Sequence, residues 1–177
     1  MKKAVSLLVL IFLSLGIPVS KAGFQGGDIL LNNSKRHNFS NNQSPDIFRL
    51  ILKGKDLVNA EATFSITNSF GREIFKETFP ASDLIGYEIT VENPSIIKKE
   101  EVIKKRANEF FIEKNFLNPA ISPKEEFDED YAEETIWKDI KMDRTAIGFF
   151  YLLGEEGLSW IAYSKKTGKV VMYRTCC

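Results

Sequence analysis

The sequence predicts an α+β domain in which antiparallel sheet, made of an N-terminal hairpin and a C-terminal three-stranded meander, packs against one long amphipathic helix. Three observations carry this. Ala62, Phe64 and Ile66 alternate with Thr63, Ser65 and Thr67, the period-two pattern of a half-buried strand. Ile96, Ile103, Ala107, Phe110 and Phe111 fall on one helical face, with Lys98, Lys104, Lys105 and Glu109 on the other. Three apolar runs near the end are joined by Gly154-Glu155-Glu156-Gly157 and Lys165-Lys166-Thr167-Gly168, both of hairpin length.

Residues 1–22 read as a secretory signal peptide: Lys2 and Lys3 form a basic start, Ala4 to Leu15 an apolar stretch, and Ser20-Lys21-Ala22 a small-x-small cleavage site. The apolar stretch is shorter than the roughly 20 residues that cross a bilayer. The expectation is therefore an exported protein, periplasmic or extracellular and bacterial in character, that begins near Gly23 and keeps no membrane span. With no cysteine at the cleavage site to carry a lipid, a soluble product is expected.

Residues 23–45 are rich in Asn, Ser and Gly and lack apolar periodicity, so they are expected to be a flexible leader. Asn32, Asn38 and Asn42 sit in Asn-x-Ser triplets, read as by-products of that composition. Residues 46–177 are expected to form a single α+β domain, a length sufficient for one core. Ile47 to Lys53 alternates and ends at Gly54, giving a strand. Asn68-Ser69-Phe70-Gly71 turns the next strand into its hairpin partner, which stops at Pro80. Ser82-Asp83 suits a short helical turn. The helix from Asn93-Pro94-Ser95 should draw on Glu100–Lys104 and Glu101–Lys105 pairs and end by Asn118-Pro119. Ser122-Pro123-Lys124-Glu125 matches a capping box and predicts a second, acidic helix start. Phe149 to Leu153 does not alternate, which suits a strand covered on both faces.

The composition narrows function by exclusion. Basic and acidic residues balance at 24 each, and removal of Lys2, Lys3 and Lys21 leaves a small negative charge, unlike the basic face of a nucleic-acid binder. The single histidine, His37, leaves no multi-histidine zinc site and no histidine base for a Ser or Cys nucleophile outside the leader, while a lysine base stays open. The acidic run from Glu125 to Glu134 invites calcium, with Asp128 and Asp130 as the candidate ligands. Ala132 and Glu133 break the EF-hand pattern where a ligand and a glycine are required. The same run could dock a basic partner. Cys176 and Cys177, the only thiols, could form an adjacent disulfide, bridge to another molecule, stay reduced or hold a soft metal.

Fourteen phenylalanines, two tryptophans and five tyrosines should build the core and leave an aromatic on a sheet face for binding, with Trp160, Tyr163 and Tyr173 as the candidates. The hairpin Ile161-Ala162-Tyr163-Ser164-Lys165-Lys166-Thr167-Gly168-Lys169-Val170-Val171 resembles that of exported PepSY-type modules, and the helix-then-meander order is compatible with cystatin-like binding folds. This likeness implies an exported α+β module and carries no site residue. The expected function is a small exported binding or inhibitor-like protein without catalysis or cofactor, acting on a protein or envelope component. A metal-linked protein is the alternative, and a carboxylate-based hydrolase is third.

Overall fold

A computed structural model describes residues 27–176; the expected signal peptide, residues 23–26 of the leader and Cys177 lie outside the described residues. The chain forms two antiparallel four-stranded sheets, each a simple meander. The first holds β1 (Asp28–His37), β2 (Asp46–Gly54), β3 (Glu61–Thr67) and β4 (Glu73–Pro80). After two short 3₁₀ turns, Ala81–Leu84 and Gly86–Glu88, comes the helix α1 (Ile96–Glu109). The second sheet holds β5 (Phe116–Leu117), β6 (Gly148–Leu153), β7 (Gly157–Ser164) and β8 (Lys169–Cys176), with α2 (Glu134–Met142) inserted before β6. The architecture is α+β and mostly strand.

Alternation decides which face of the first sheet is covered. Phe48, Leu50 and Leu52 on β2 lie opposite Ile66, Phe64 and Ala62 on β3, and all six are buried. They face Phe149, Tyr151 and Ile161 of the second sheet, with Phe110 and Phe111 from the end of α1 filling the space beside them. The rings interlock at centroid separations of 5.3 Å for Phe48–Phe149, 5.6 Å for Phe64–Phe149 and 5.4 Å for Phe64–Phe110. Tilted and edge-on contacts of this kind add about 0.5–1.5 kcal/mol each beyond the area they bury.

The helix is shorter than the periodicity implies, 14 residues, and its packed face starts later. Val102, Ile103 and Ala107 are buried, whereas Ile96 is 68% exposed, because the first turn extends past the edge of the core. Ser95 caps it by accepting the Lys98 N–H. The expected Glu100–Lys104 and Glu101–Lys105 pairs do not form among the described residues. Glu100 accepts the Leu57 N–H, Glu101 pairs with Lys98, and Lys105 reaches Glu88 at 3.2 Å.

The expected flexible leader is corrected over residues 28–37, which form the edge strand β1. Its inward side chains are Leu31, Asn33, Lys35 and His37, only one of them apolar, and their polar atoms are satisfied by specific partners rather than excluded. Asn33 Nδ2 donates to the carbonyls of Ala107 and Asn108 at 2.8 and 3.1 Å, satisfying two carbonyls in the last turn of α1. Lys35 and His37 meet Glu113 at 3.2 Å each, and the His37 ring stacks on Phe116 at 3.9 Å. The Lys35 contact, then that of His37, holds the Glu113 carboxyl below its ordinary value. The following loop is built on Asp46, whose buried carboxylate accepts the N–H groups of Phe39 and Ser40 and the Ser40 hydroxyl.

The capping box at 122–125 does not start a helix either. Residues 122–133 are irregular, and α2 begins at Glu134 with Glu133 accepting the N–H groups of Thr135 and Ile136. Glu125 is drawn away to Arg174, 2.9 Å distant, and its carbonyl accepts Lys141 Nζ. Tyr131 accepts the Thr175 N–H, so the segment runs beside β8. The three-stranded meander gains β5, whose two residues pair only with Gly148 and Phe149.

Replacing Asp46 by Ala strands the buried Phe39 amide and the half-buried Ser40 amide and should lower the unfolding free energy by about 3 kcal/mol, with Asp46→Asn losing less. Urea denaturation followed by circular dichroism reads this, and an unchanged midpoint for Asp46→Ala would remove Asp46 from its role in the β1–β2 loop.

Candidate binding site

The second sheet has two faces with different fates. Phe149, Tyr151 and Ile161 point into the shared core. The opposite face carries Phe150 and Leu152 on β6, Trp160 and Ala162 on β7, and Val171 and Tyr173 on β8. The nine residues of α2 cover one end of it. There Trp137 and Ile140 close a second cluster with Ala120, Ile121, Ala146, Ala162 and Tyr173, and Tyr173 donates its hydroxyl to the Ala120 carbonyl at 2.8 Å. A bulge in β8 opposite Trp160 and Ile161 accommodates this arrangement.

Beyond α2 the same face continues as a strip. Register places Phe150 opposite Trp160 and Trp160 opposite Arg174, with Leu152, Leu158 and Cys176 in the adjacent row. Phe150, Leu152, Leu158 and Trp160 are each half-buried. The Phe150 and Trp160 rings lie 6.4 Å apart, and the Arg174 guanidinium sits 4.8 Å from the Trp160 ring while bound to Glu125. Contact with both ring and carboxylate restricts the guanidinium and Trp160 to one arrangement.

Concavities flank the strip. Beside β6, beyond the reach of β5, a hollow of about 260 Å³ is lined by Phe150, Leu152, Arg106, Glu109 and Lys114. Beside β8 a wider one of about 610 Å³ is lined by Leu158, Cys176, Asp130, Tyr131 and Glu156. The first flank therefore carries two cations against one anion, and the second carries two anions. The turn from β6 to β7 is pinned because the Gly154 N–H donates to the Asp83 carbonyl at 2.7 Å. Gly86, at φ 50°, brings its backbone against Leu152 and Gly154 where a Cβ would sit 3.2 Å from the Gly154 carbonyl oxygen.

Of the three aromatic candidates, Trp160 lies on this strip. Tyr163 is half-buried against the main core on the other face, and Tyr173, 1% exposed, lies beneath α2, so the three do not share a surface. Sheet parity separates Trp160 from Tyr163, and the β8 bulge seats Tyr173 under the helix. Phe150, Leu152 and Leu158 are the strip residues that sequence reasoning missed; the unalternating run from Phe149 to Leu153 was the signal for Phe150 and Leu152. Asp128 and Asp130 are both exposed in the acidic loop, where Asp128 Oδ1 accepts the Asp130 N–H at 3.1 Å. Among the described residues, no three His, Cys, Asp or Glu side chains come together as metal ligands would. Cys176 is disulfide-bonded.

Comparison with protein families, with curated proteins and with solved structures finds no match to this chain.

Two tyrosines brace the sheet from either side. Burial, then the bond its hydroxyl donates to Glu77 at 2.6 Å, pushes the Tyr151 phenol far above its ordinary value. Burial, then the Glu125 charge, does the same to Tyr173. A raised folded value means that their stabilisation is complete below the ordinary 10.0 and is lost as pH rises above it toward the folded values. In an ultraviolet titration, two of the five tyrosines should therefore ionise only with alkaline unfolding. Ionisation of all five with the fold intact would contradict the burial of these two.

Proposed function

We propose that the protein is a small exported binding protein, inhibitor-like in that it occludes part of a partner and performs no chemistry on it. The partner is held on the strip formed by Phe150, Leu152, Leu158 and Trp160. The observation that supports this reading is the strip itself: four large apolar side chains in two adjacent cross-strand rows, half-covered at the point where α2 stops. Aromatic residues set on a rigid sheet lose little conformational freedom on binding, which is why Trp and Tyr dominate the energetic centres of interfaces.

A stable interface occupies roughly 800 Å² on each partner, more than four side chains supply. The flanking hollows extend the contact, and their charges would orient it. A carboxylate on the bound segment suits Arg106 and Lys114, and a basic group suits Asp130 and Glu156. The short basic start and the apolar stretch from Ala4 to Leu15 support export as the setting.

Chain beginning at Gly23, immobilised and exposed to envelope extract and culture fluid, should retain a partner that the Trp160→Ser and Leu158→Asp variants release. Truncating a central aromatic anchor costs about 2 kcal/mol or more, close to thirtyfold in affinity. Circular dichroism establishes that the variants remain folded. Equal retention by both variants would move the site elsewhere, and turnover abolished by one side-chain change would make the protein an enzyme.

A further inference from the structure

The first sheet ends, between β3 and β4, in a turn that holds an aromatic ring away from the protein. Asn68 Oδ1 accepts the N–H groups of Phe70 and Arg72 at 3.1 and 3.0 Å, and the Asn68 N–H bonds back to the Arg72 carbonyl at 2.8 Å. Gly71, at φ 80°, closes the turn onto the Asn68 carbonyl at 2.9 Å. The turn is thus fixed by its own hydrogen bonds, and it presents Phe70 91% exposed. So bare a ring contributes almost nothing to the hydrophobic stability of the fold.

The solvent side of the sheet below this ring is basic and hydroxylated. Register aligns Ser34, Arg49, Ser65 and Lys76 in one row across the four strands, and Arg36, Ile47, Thr67 and Glu73 in the row nearer the turn. Strand spacing puts the backbones at Arg49 and Lys76 roughly 10 Å apart, and those at Arg36 and Arg49, which are diagonal neighbours, about 7–8 Å apart. Arg36, Arg49, Arg72 and Lys76 are all exposed, and none forms an ion pair among the described residues. Glu73 is the one carboxylate in these two rows.

We infer that this end of the first sheet docks on an anionic lipid surface, with Phe70 entering the boundary between headgroups and acyl chains and Arg36, Arg49, Arg72 and Lys76 facing the headgroup phosphates. An apolar wedge surrounded by unpaired cations is the pairing that an anionic bilayer surface satisfies: the ring leaves water while the charges meet lipid anions. A polyanion without an apolar layer would answer the cations and leave Phe70 in water. Attachment through one ring and four charges is reversible and weakens as salt shortens the reach of the charges. Among the described residues no helix is long and apolar enough to cross a membrane, so the contact is peripheral.

Sedimentation of the chain beginning at Gly23 with vesicles tests this. It should pellet with phosphatidylglycerol mixed into phosphatidylcholine, not with phosphatidylcholine alone, and should be released as the Debye length falls from about 30 Å at 0.01 M salt to about 10 Å at 0.1 M. Phe70→Ser and the double change Arg36→Glu with Arg72→Glu should each weaken partitioning about tenfold. Met142→Ser, which alters another bare apolar residue at the end of α2, should leave it unchanged. Equal pelleting with neutral and anionic vesicles, no pelleting with either, or undiminished binding by both surface variants would overturn the inference. So would displacement from vesicles by glycerol phosphate with no loss in Phe70→Ser, which would make the site a receptor for a free phosphate.

Discussion

The structure depends on one aromatic contact zone in which Phe48 and Phe64 of the first sheet meet Phe149 and Tyr151 of the second. Each sheet is a meander, with local connections except for the long stretch carrying α2 between β5 and β6, and could form its hydrogen bonds alone. Neither could cover its own apolar face, and a four-stranded sheet with one face bare is a poor independent unit. The rings solve this by tilted and edge-on packing, and the residues that end α1, Phe110 and Phe111, enter the same zone. The helix thereby becomes a lateral plug, and its C-terminus is fixed where Asn33 of β1 can reach its carbonyls.

That placement leads to the candidate site. With one face of the second sheet committed to the shared core, the other must be covered by whatever chain remains between β5 and β6. Much of that chain is the irregular acidic segment, which runs beside β8, and the nine residues of α2 reach across only Ala162, Tyr173 and their neighbours. The uncovered remainder is the strip around Trp160. Its exposure follows from the length of α2 and the two-residue length of β5, so the strip belongs to the architecture rather than to one side-chain rotamer. A rigid apolar strip with charged hollows on either side is suited to holding a partner.

Much of the fold was legible in the residues. The alternation in β3, the turn at Asn68 to Gly71 and the glycine-bearing connections of the C-terminal meander each specify their element locally. What stayed hidden was structure held by polar contacts. The inward side of β1 shows no apolar period because Asn33, Lys35 and His37 are satisfied by partners more than 70 residues away. The capping-box sequence at 122–125 was a valid local signal overridden by the tertiary pull of Arg174 on Glu125. The site was half legible: Trp160 was visible as an aromatic in a strand, but sheet parity, the β8 bulge and the reach of α2 decide that Tyr163 and Tyr173 lie elsewhere.

The claim that one shared core makes β1 and the second sheet parts of a single cooperative body is open to native-state hydrogen exchange. Central amides of β1, which pair with β2 across Asn33–Leu50 and Lys35–Phe48, should open only with the amides of β6 and β7, at the free energy of global unfolding. Exchange of the β1 amides at the rate of an unstructured leader, while β6 and β7 remain protected, would contradict the account.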